Sequence, residues 1–273
     1  MTIHDTKLYL RKLLAMCLVS MLTACAGGPS ENQNNLAFAL AWKQTAAEYR
    51  ALYHQGFNLA RSRVELALLQ RDSTSKPLAV VSDVDETVLL ANEYWSRLVG
   101  QHQDFFDDGI WDEFIPENRA LVSPGAMEFL EFCQQNNVEV FFVTNRDQGE
   151  RTAEYALSNL QSAGFPFADE EHLTVLRGSS NKEPTQQAIA ENFEIVVYLG
   201  DNLNDFSRRY YSTDIEQRMA LMEEDREEFG KRFILFPNPT DGHWIRAIFG
   251  DSEPPPSNEN RAVLNQAAMK AVP

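Results

Sequence analysis

The segment that decides the fold is PLAVVSDVDET, residues 77–87. Its first half is a short apolar run rich in valine, which is typical of a strand buried on both faces of a sheet. Its second half carries two aspartates, Asp83 and Asp85, directly after that run. Open parallel sheets bind ligands at the carboxyl ends of their strands, so this segment predicts a central strand with a functional site at its end.

Similar apolar runs recur along the chain, and helix-like stretches separate them. The runs that predict strands lie at residues 138–144, 173–176, 195–199 and 232–236. The stretches between them that suit helices include residues 124–136, 150–163 and 181–192. Strands that alternate with helices predict an α/β fold, with a parallel sheet, right-handed crossovers and helices on its faces.

A second acidic cluster follows a predicted strand in the same way as the first. Asp201 and Asp205 come after the run at 195–199, as Asp83 and Asp85 come after the first strand. One acidic turn is weak evidence, because aspartate commonly caps helices. Four carboxylates at one edge of a sheet, however, would repel one another strongly unless a cation neutralised them. Such an oxygen-rich site suits Mg²⁺.

Groups that can hold a phosphoryl group lie between the two acidic clusters in the sequence. Thr144 ends the second predicted strand and Asn145 follows it, where a hydroxyl and the N–H groups of the turn can bind phosphoryl oxygens. Lys182 begins a predicted helix and can supply a positive charge. A single lysine is more often a solvated surface residue, but its position between the acidic clusters favours a role in the site.

Together these residues resemble the four motifs of the haloacid-dehalogenase (HAD) superfamily, in their usual order. The matching positions are Asp83-x-Asp85-x-Thr87, Thr144, Lys182 and Gly200-Asp201-x-x-x-Asp205. The longer strings DVDETVL from Asp83, with Tyr94 beyond it, and GDNLNDF from Gly200 are similar to those of the class C acid phosphatases, which are often bacterial surface lipoproteins. The resemblance spans about residues 36–249. It implies a HAD-like Rossmannoid parallel sheet flanked by helices, with a smaller helical cap.

The resemblance also implies a role for each motif residue. Asp83 would attack phosphorus and form an aspartyl-phosphate, and Asp85 would protonate the leaving alcohol and then activate water. Mg²⁺ would be held by Asp83, by the backbone carbonyl of Asp85 and by Asp201. The groups implied for the phosphoryl group are Thr144, Asn145 and Lys182, supported by Asp205.

The alcohol part of the phosphomonoester substrate stays open. Class C acid phosphatases often cleave nucleoside monophosphates and stack the base between aromatic side chains, for which Tyr94 and Trp111 are the candidates here. The resemblance also implies an aromatic residue soon after Asn238, where this chain has Thr240 and Asp241. The second stacking surface is therefore not identified by the sequence.

Two other functions compete with hydrolysis of small phosphomonoesters. A phosphotransferase of the same fold, in which another alcohol replaces water, would use the same residues. A non-catalytic surface-binding lipoprotein that retains the fold would be expected to have lost at least one motif residue, and none is missing. The sequence therefore favours an Mg²⁺-dependent acid phosphatase.

The first residues indicate export and lipid attachment. Residues 1–24 combine a basic head with an apolar run at 13–22 that is too short to span a bilayer, as in a signal peptide. LTAC at residues 22–25 resembles a lipobox, which implies cleavage before Cys25 and attachment of diacylglycerol to it. The alternative is an ordinary secretory signal that happens to contain a cysteine. Because Ala26 follows, the pattern resembles outer-membrane lipoproteins of the bacterial cell envelope, anchored to the membrane through this lipid.

The formal charge argues against a nucleic-acid polymer as a partner. The whole chain carries a charge of −16, and loss of residues 1–24 would change it to −18. Phosphate backbones are usually bound by clusters of lysine and arginine, so an acidic surface repels them. An anionic substrate must therefore meet a local cation or a metal.

The cysteines predict no disulfide in the mature chain. Cys17 would leave with the signal peptide and Cys25 would carry the lipid, so Cys133 has no partner. It lies in an apolar pattern with helical spacing, which predicts packing in the core.

Two segments are expected between the lipid and the sheet. Residues 25–35 are polar and suit a tether. Residues 36–76 show apolar residues at helical spacing, which predicts an N-terminal helical segment with Gly56 as a candidate break.

The rest of the chain divides into a core, an insertion and a tail. The HAD-like core is expected at residues 77–250. The stretch at about 89–123 is too long for a simple connection, so we expect a helical insertion there. We expect most of its six large aromatic residues to pack the insertion against the N-terminal helices. Residues 251–273 include three consecutive prolines and predict an exposed tail.

Overall fold

A five-stranded parallel sheet forms the centre of the protein in the computed structural model, which describes residues 34–72 and 74–270. The strands of the sheet are β1 (Leu78–Ser82), β4 (Glu139–Asn145), β5 (Leu173–Leu176), β6 (Glu194–Gly200) and β7 (Phe233–Leu235). A separate antiparallel pair consists of β2 (Leu89–Leu90) and β3 (Leu121–Val122). The order in the sheet is β5–β4–β1–β6–β7, so the strand of the opening segment lies in the middle.

Helices connect and cover these strands. The α-helices of the described residues are α1 (Leu36–Thr45), α2 (Ala47–Gln70), α3 (Asn92–Gly100), α4 (Asp108–Phe114), α5 (Ala126–Gln135), α6 (Thr152–Ser162), α7 (Glu183–Asn192), α8 (Ile215–Glu224), α9 (His243–Phe249) and α10 (Asn258–Met269). Short 3₁₀ helices lie at Ile115–Glu117, Gly149–Arg151, Leu203–Asp205 and Arg208–Tyr210. The predicted α/β fold with a parallel sheet is therefore confirmed.

Strand β1 is buried on both faces, as its composition predicts. None of its five side chains is more than 3% exposed. It pairs in parallel with β4 on one side and with β6 on the other, so that Val81 lies between Phe141 and Tyr198. Because neighbours surround this strand on every side, the residue that follows it, Asp83, is held in a fixed place.

The N-terminal helices pack on the sheet, but the break between them is not at the predicted position. Helix α1 ends at Thr45, the next residue, Ala46, is extended with a ψ of 123°, and α2 then runs without interruption through Gly56. The prediction of a break at Gly56 is wrong, because this glycine serves packing instead. A Cβ atom on Gly56 would lie only 2.5 Å from Cε1 of Phe236, the residue after β7.

Residues 89–123 form the β2–β3 pair and the short helices α3 and α4. Their aromatic side chains make a buried cluster with two leucines of α1. The buried members of this cluster are Leu36, Leu40, Ala91, Tyr94, Trp95, Leu98, Trp111, Phe114 and Ile115. The predicted packing of most of these rings against the N-terminal helices is therefore confirmed.

The segment after residue 250 contacts the insertion through an ion pair. Helix α10 has largely exposed side chains, but Nε of Arg261 lies 2.6 Å from Oδ2 of the buried Asp104. Just before this segment, Phe249 of α9 contacts the ring of Phe105 edge-on, with centroids 5.3 Å apart. Part of the predicted tail is therefore a helix with a defined attachment.

The predictions for the N-terminus fall outside the described residues. They concern residues 1–24, Cys25 and most of the tether at 25–35. Within residues 34–72 and 74–270, no helix combines the length and the apolar character needed to cross a membrane. Cys133 is fully buried in the core, as its sequence pattern predicts.

Candidate active site

Three aspartates from the two acidic clusters meet at the carboxyl edge of the sheet. Asp83 follows β1, while Asp201 and Asp205 follow the neighbouring strand β6. Each contributes a carboxylate oxygen, and these oxygens all lie within 4.8 Å of one another. The parallel sheet thus brings together residues that are about 120 positions apart in the sequence, as the strand pattern predicts.

Lys182 lies between two of these carboxylates. Its Nζ atom is 2.5 Å from Oδ1 of Asp83 and 2.7 Å from Oδ1 of Asp205. Burial alone would lower the pKa of this lysine, but the charges of Asp205 and Asp83 raise it above its ordinary value. Lys182 is therefore a buried ammonium group beside the predicted nucleophile Asp83, and not the solvated surface lysine of the alternative interpretation.

The loop after β6 has a tight geometry that requires a glycine. A Cβ atom on Gly200 would lie 2.5 Å from the Cβ of Asp205. The loop is closed by a hydrogen bond of 2.9 Å that the backbone N–H of Asn202 donates to Oδ2 of Asp205. One carboxylate oxygen of Asp205 thus accepts from the backbone of Asn202, and the other pairs with Lys182.

The electrostatics of the aspartates fit a bound cation. Burial, followed by the charges of Asp205 and Asp83, raises the pKa of Asp201 well above its ordinary value. Burial also raises the pKa of Asp83, although the ammonium group of Lys182 opposes this effect. Both carboxylates are thus costly to keep ionised, and a divalent cation held by oxygen ligands would remove that cost.

Asp85 is paired with an arginine that the sequence analysis did not include in the site. Nε and Nη2 of Arg146 donate to the two carboxylate oxygens of Asp85 over 2.7 and 2.6 Å. Arg146 is itself 3% exposed and donates from Nη1 to Oδ1 of Asn159 over 2.7 Å. The available signal was its place directly after Thr144 and Asn145, at the end of a strand that borders the site.

The predicted phosphoryl-binding residues lie beside this pair. Oγ1 of the buried Thr144 is 3.4 Å from Oδ2 of Asp85. Asn145 ends β4 and lines the adjoining cavity. The structure therefore places Thr144 and Asn145 at the same edge of the sheet as the aspartates.

A cavity of about 540 Å³ opens next to Asp85. Of the predicted site residues at the edge of the sheet, Asp85 and Asn145 line it, and the insertion and the C-terminal segment supply other walls. The lining residues include Asp85, Glu86, Trp95, Phe106, Asp108, Trp111, Asn145, Arg146, Arg208, Tyr211, Asp241, His243 and Glu253. Its size and its mixture of aromatic and charged side chains suit a small organic phosphate.

The two aromatic residues predicted to bind substrate occupy different positions. Trp111 lines the cavity, and the guanidinium group of Arg146 lies over its ring at 5.8 Å from the centroid. Tyr94 does not line the cavity: it is 0% exposed, and its hydroxyl bonds to the backbone of Asp107. The predicted contact of Tyr94 with substrate is thus corrected, because this ring packs the interior of the insertion.

The sequence has no aromatic residue directly after Asn238, where the resemblance implied one, and other side chains line this part of the cavity. Asp241 lines the cavity, and burial raises its pKa to about 6. Tyr211 also lines the cavity, and the guanidinium groups of Arg208 and Arg246 lie 3.5 and 4.5 Å from its ring centroid. Tyr211 is thus an aromatic residue of the cavity wall that was not predicted from the sequence.

Comparison with known proteins identifies the family. Residues 16–244 match the family described as HAD superfamily, subfamily IIIB (Acid phosphatase). This match spans most of the chain. The chain belongs to this family of acid phosphatases.

Solved structures agree with this membership. Two structures of the class C acid phosphatase from Bacillus anthracis, one of them with tungstate bound, are similar to this chain with TM-scores of 0.79 and 0.80. Each is 28% identical in sequence, covers 89% of this chain and is itself covered over 99% or 100% of its length. The protein is therefore an HAD-fold phosphomonoesterase, as the resemblance of its motifs implied.

Proposed function

We propose that this acid phosphatase is Mg²⁺-dependent and hydrolyses small phosphomonoesters through an aspartyl-phosphate on Asp83. The observation that carries the proposal is the convergence of Asp83, Asp201 and Asp205 around one place, with Lys182 against the predicted nucleophile. The Bacillus anthracis relative binds tungstate, an oxyanion like phosphate, which supports a site of this kind.

The chain's own groups account for both steps of hydrolysis. A carboxylate oxygen of Asp83 forms a bond to phosphorus as the bond from phosphorus to the leaving oxygen breaks, and Asp85 gives its proton to that oxygen. Asp85 then takes a proton from water as the water oxygen bonds to phosphorus. This second step breaks the bond between phosphorus and Asp83 and releases inorganic phosphate. Thr144 and Lys182 bind the phosphoryl oxygens.

The metal would be held by Asp83, Asp201 and the backbone carbonyl of Asp85. When bound, it supplies positive charge that offsets the repulsion between the nucleophile and the phosphoryl group. Asp205 does not need to be a ligand, because the structure already commits its two oxygens to Lys182 and to the backbone of Asn202.

A chelation experiment tests the metal requirement. The mature protein is assayed on a panel of phosphomonoesters before and after exhaustive chelation, and again after Mg²⁺ is restored. We expect activity to disappear and then to return, because Asp83 and Asp201 cannot face an anionic substrate without compensation of charge. Full turnover after chelation would refute the metal assignment.

We also propose nucleoside monophosphates as substrates, with Trp111 as one stacking surface. Stacking of a base on an aromatic ring is worth about 1–3 kcal/mol. Trp111→Ala should therefore weaken the cleavage of nucleoside monophosphates more than that of an alkyl phosphate. An equal loss for both substrates would show that Trp111 only packs the insertion.

A further inference from the structure

A buried lysine of the first helix is connected to the predicted metal site. Lys43 lies on α1 and is 3% exposed. Its Nζ atom donates to Oε2 of Glu86 over 2.6 Å and to Oγ1 of Thr240 over 3.0 Å. Glu86 is one residue beyond Asp85, so the opening motif and the loop after β7 are both attached to this ammonium group.

The hydrogen bonds from Lys43 onward have a fixed direction. An ammonium group can only donate, so Thr240 must accept from Lys43. The hydroxyl proton of Thr240 is then directed to Oδ1 of Asn238, which lies 2.7 Å away. Nδ2 of Asn238 in turn donates to Oδ2 of Asp201 over 2.7 Å.

The orientation of the Asn238 carboxamide follows from its donors. An amide's oxygen and nitrogen are normally hard to distinguish, and their assignment depends on the surrounding hydrogen bonds. Here Oδ1 also accepts from the backbone N–H groups of Thr240 and Asp241, at 3.0 and 3.2 Å. Three donors therefore fix the oxygen, and the NH₂ group must face Asp201.

We infer that Thr240 is a positioning residue for the metal ligand Asp201, and that Lys43 sets the direction of its hydroxyl. This inference rests on the proposed metal site. The hydrogen bonds that run from Lys43 through Thr240 and Asn238 to Asp201 form a relay. This relay holds one oxygen of Asp201 on Asn238 and leaves the other for the cation. Partners that hold a metal ligand in this way typically account for about 10- to 100-fold in metal affinity or activity.

These hydrogen bonds also explain why a lysine, a glutamate and a threonine occur together here. A lysine without a partner in this buried place would be costly, and Glu86 compensates its charge. Thr240 and Asp241 stand where the resemblance implied an aromatic residue, so a threonine hydroxyl there can serve the metal site instead of the substrate. The departure from the family pattern thus acquires a function in this chain.

The test measures metal binding directly, by the electron paramagnetic resonance signal of free Mn²⁺ during titration of the mature protein. Thr240→Val removes the hydroxyl but keeps both the side-chain shape and the Lys43–Glu86 pair. We expect Mn²⁺ affinity to fall by about 10-fold or more. Thr240→Ser, which restores a hydroxyl, should recover most of that loss.

Thr45→Val is the matched control, because it removes the same hydroxyl from an exposed position of α1, where it donates only to the carbonyl of Ala41. It should leave Mn²⁺ affinity unchanged. A second arm neutralises the ion pair with Lys43→Met and Glu86→Gln together. It should lower the affinity less than Thr240→Val, because the Thr240 hydroxyl can still reach Asn238.

The outcomes separate this inference from the proposed function. Absence of Mn²⁺ binding by the unmutated protein would refute the metal site itself. Binding by the unmutated protein with unchanged affinity in Thr240→Val would refute the relay, even if the melting temperature falls, because a purely structural role predicts that combination. If Thr240→Val does not fold, Thr240→Ala makes the same comparison. Unchanged affinity in the double variant would refute the role of Lys43.

Discussion

At the scale of single residues, Arg146 determines the orientation of the predicted acid/base. Both oxygens of Asp85 accept from its guanidinium group, and this forked contact holds the carboxylate in one orientation. Asn159 holds Arg146 from the other side. The predicted acid/base thus depends on a contact that forms only when the sheet assembles.

We predict that Arg146→Met lowers kcat by about 10–10²-fold, because Asp85 loses its fixed orientation. Arg146→Lys should restore little of this, since an ammonium group cannot bind both oxygens in the same forked geometry. Steady-state kinetics of variants with checked folding provide the measurement. Arg151→Met is the control, because Arg151 is exposed and pairs with Glu154 in the adjacent turn. Unchanged kcat in folded Arg146→Met would contradict the assignment.

At the scale of secondary structure, His172 connects strand β4 to the turn before β5. Its ring nitrogens lie 2.7 Å from Oδ1 of Asp169 and 3.0 Å from Oε2 of Glu139. Burial alone would lower the pKa of His172, but its hydrogen bonds to Asp169 and Glu139 outweigh burial and raise it.

This raised pKa predicts a pH dependence of stability. A histidine whose pKa is higher in the folded state stabilises the protein most at pH values below its unfolded pKa of about 6.5. This stabilisation is lost as pH rises through the folded pKa. His172→Gln should therefore reduce the free energy of unfolding more at about pH 5.5 than at about pH 8.5. Urea unfolding at both pH values measures this, with His54→Gln as a control outside the cluster. An equal loss at both pH values would refute the prediction.

The elements that were predicted well are those with a strong local pattern. Strand β1 and helix α7 are visible in the sequence as an apolar run and a helical stretch, and parallel order then places Asp83 and Asp201 at one edge. Contacts between distant segments carry no such local signal. The pairing of Arg146 with Asp85, the burial of Tyr94 and the attachment of Lys43 to Thr240 could therefore be found only in the folded structure.

At the scale of the whole molecule, the site places a few cations among its carboxylates within an acidic protein. The chain carries −16, yet Lys182, Arg146 and Arg208 lie at or beside the carboxyl edge of the sheet. An acidic surface aids solubility and repels polyanions, so a small phosphate must be met by local cations. This distribution suits a small phosphomonoester better than a nucleic-acid polymer.

We propose that the protein is held in the bacterial cell envelope, at the outer membrane, by a lipid on Cys25. Cys25→Ser should leave catalysis unchanged and release the protein from membranes, because the lipid is the only anchor that the sequence predicts. Fractionation of cells, followed by a phosphatase assay of both fractions, measures this. The control is Ser30→Ala in the predicted tether. Cys133→Ser is unsuitable, because that thiol is buried in the core. Sedimentation of Cys25→Ser with membranes would contradict the lipid assignment.

The central claim is that Asp83 and Asp85 act in two successive steps, and rapid mixing with p-nitrophenyl phosphate tests it most directly. Asp85→Asn keeps the nucleophile, and nitrophenolate scarcely needs an acid to leave. We therefore predict a burst of nitrophenolate stoichiometric with enzyme. Hydrolysis of the aspartyl-phosphate should then be slower by about 10²–10⁴-fold. Asp83→Asn should give neither burst nor phosphoenzyme. If Asp85→Asn is folded and binds Mg²⁺ but gives neither the burst nor the phosphoenzyme, the account is contradicted.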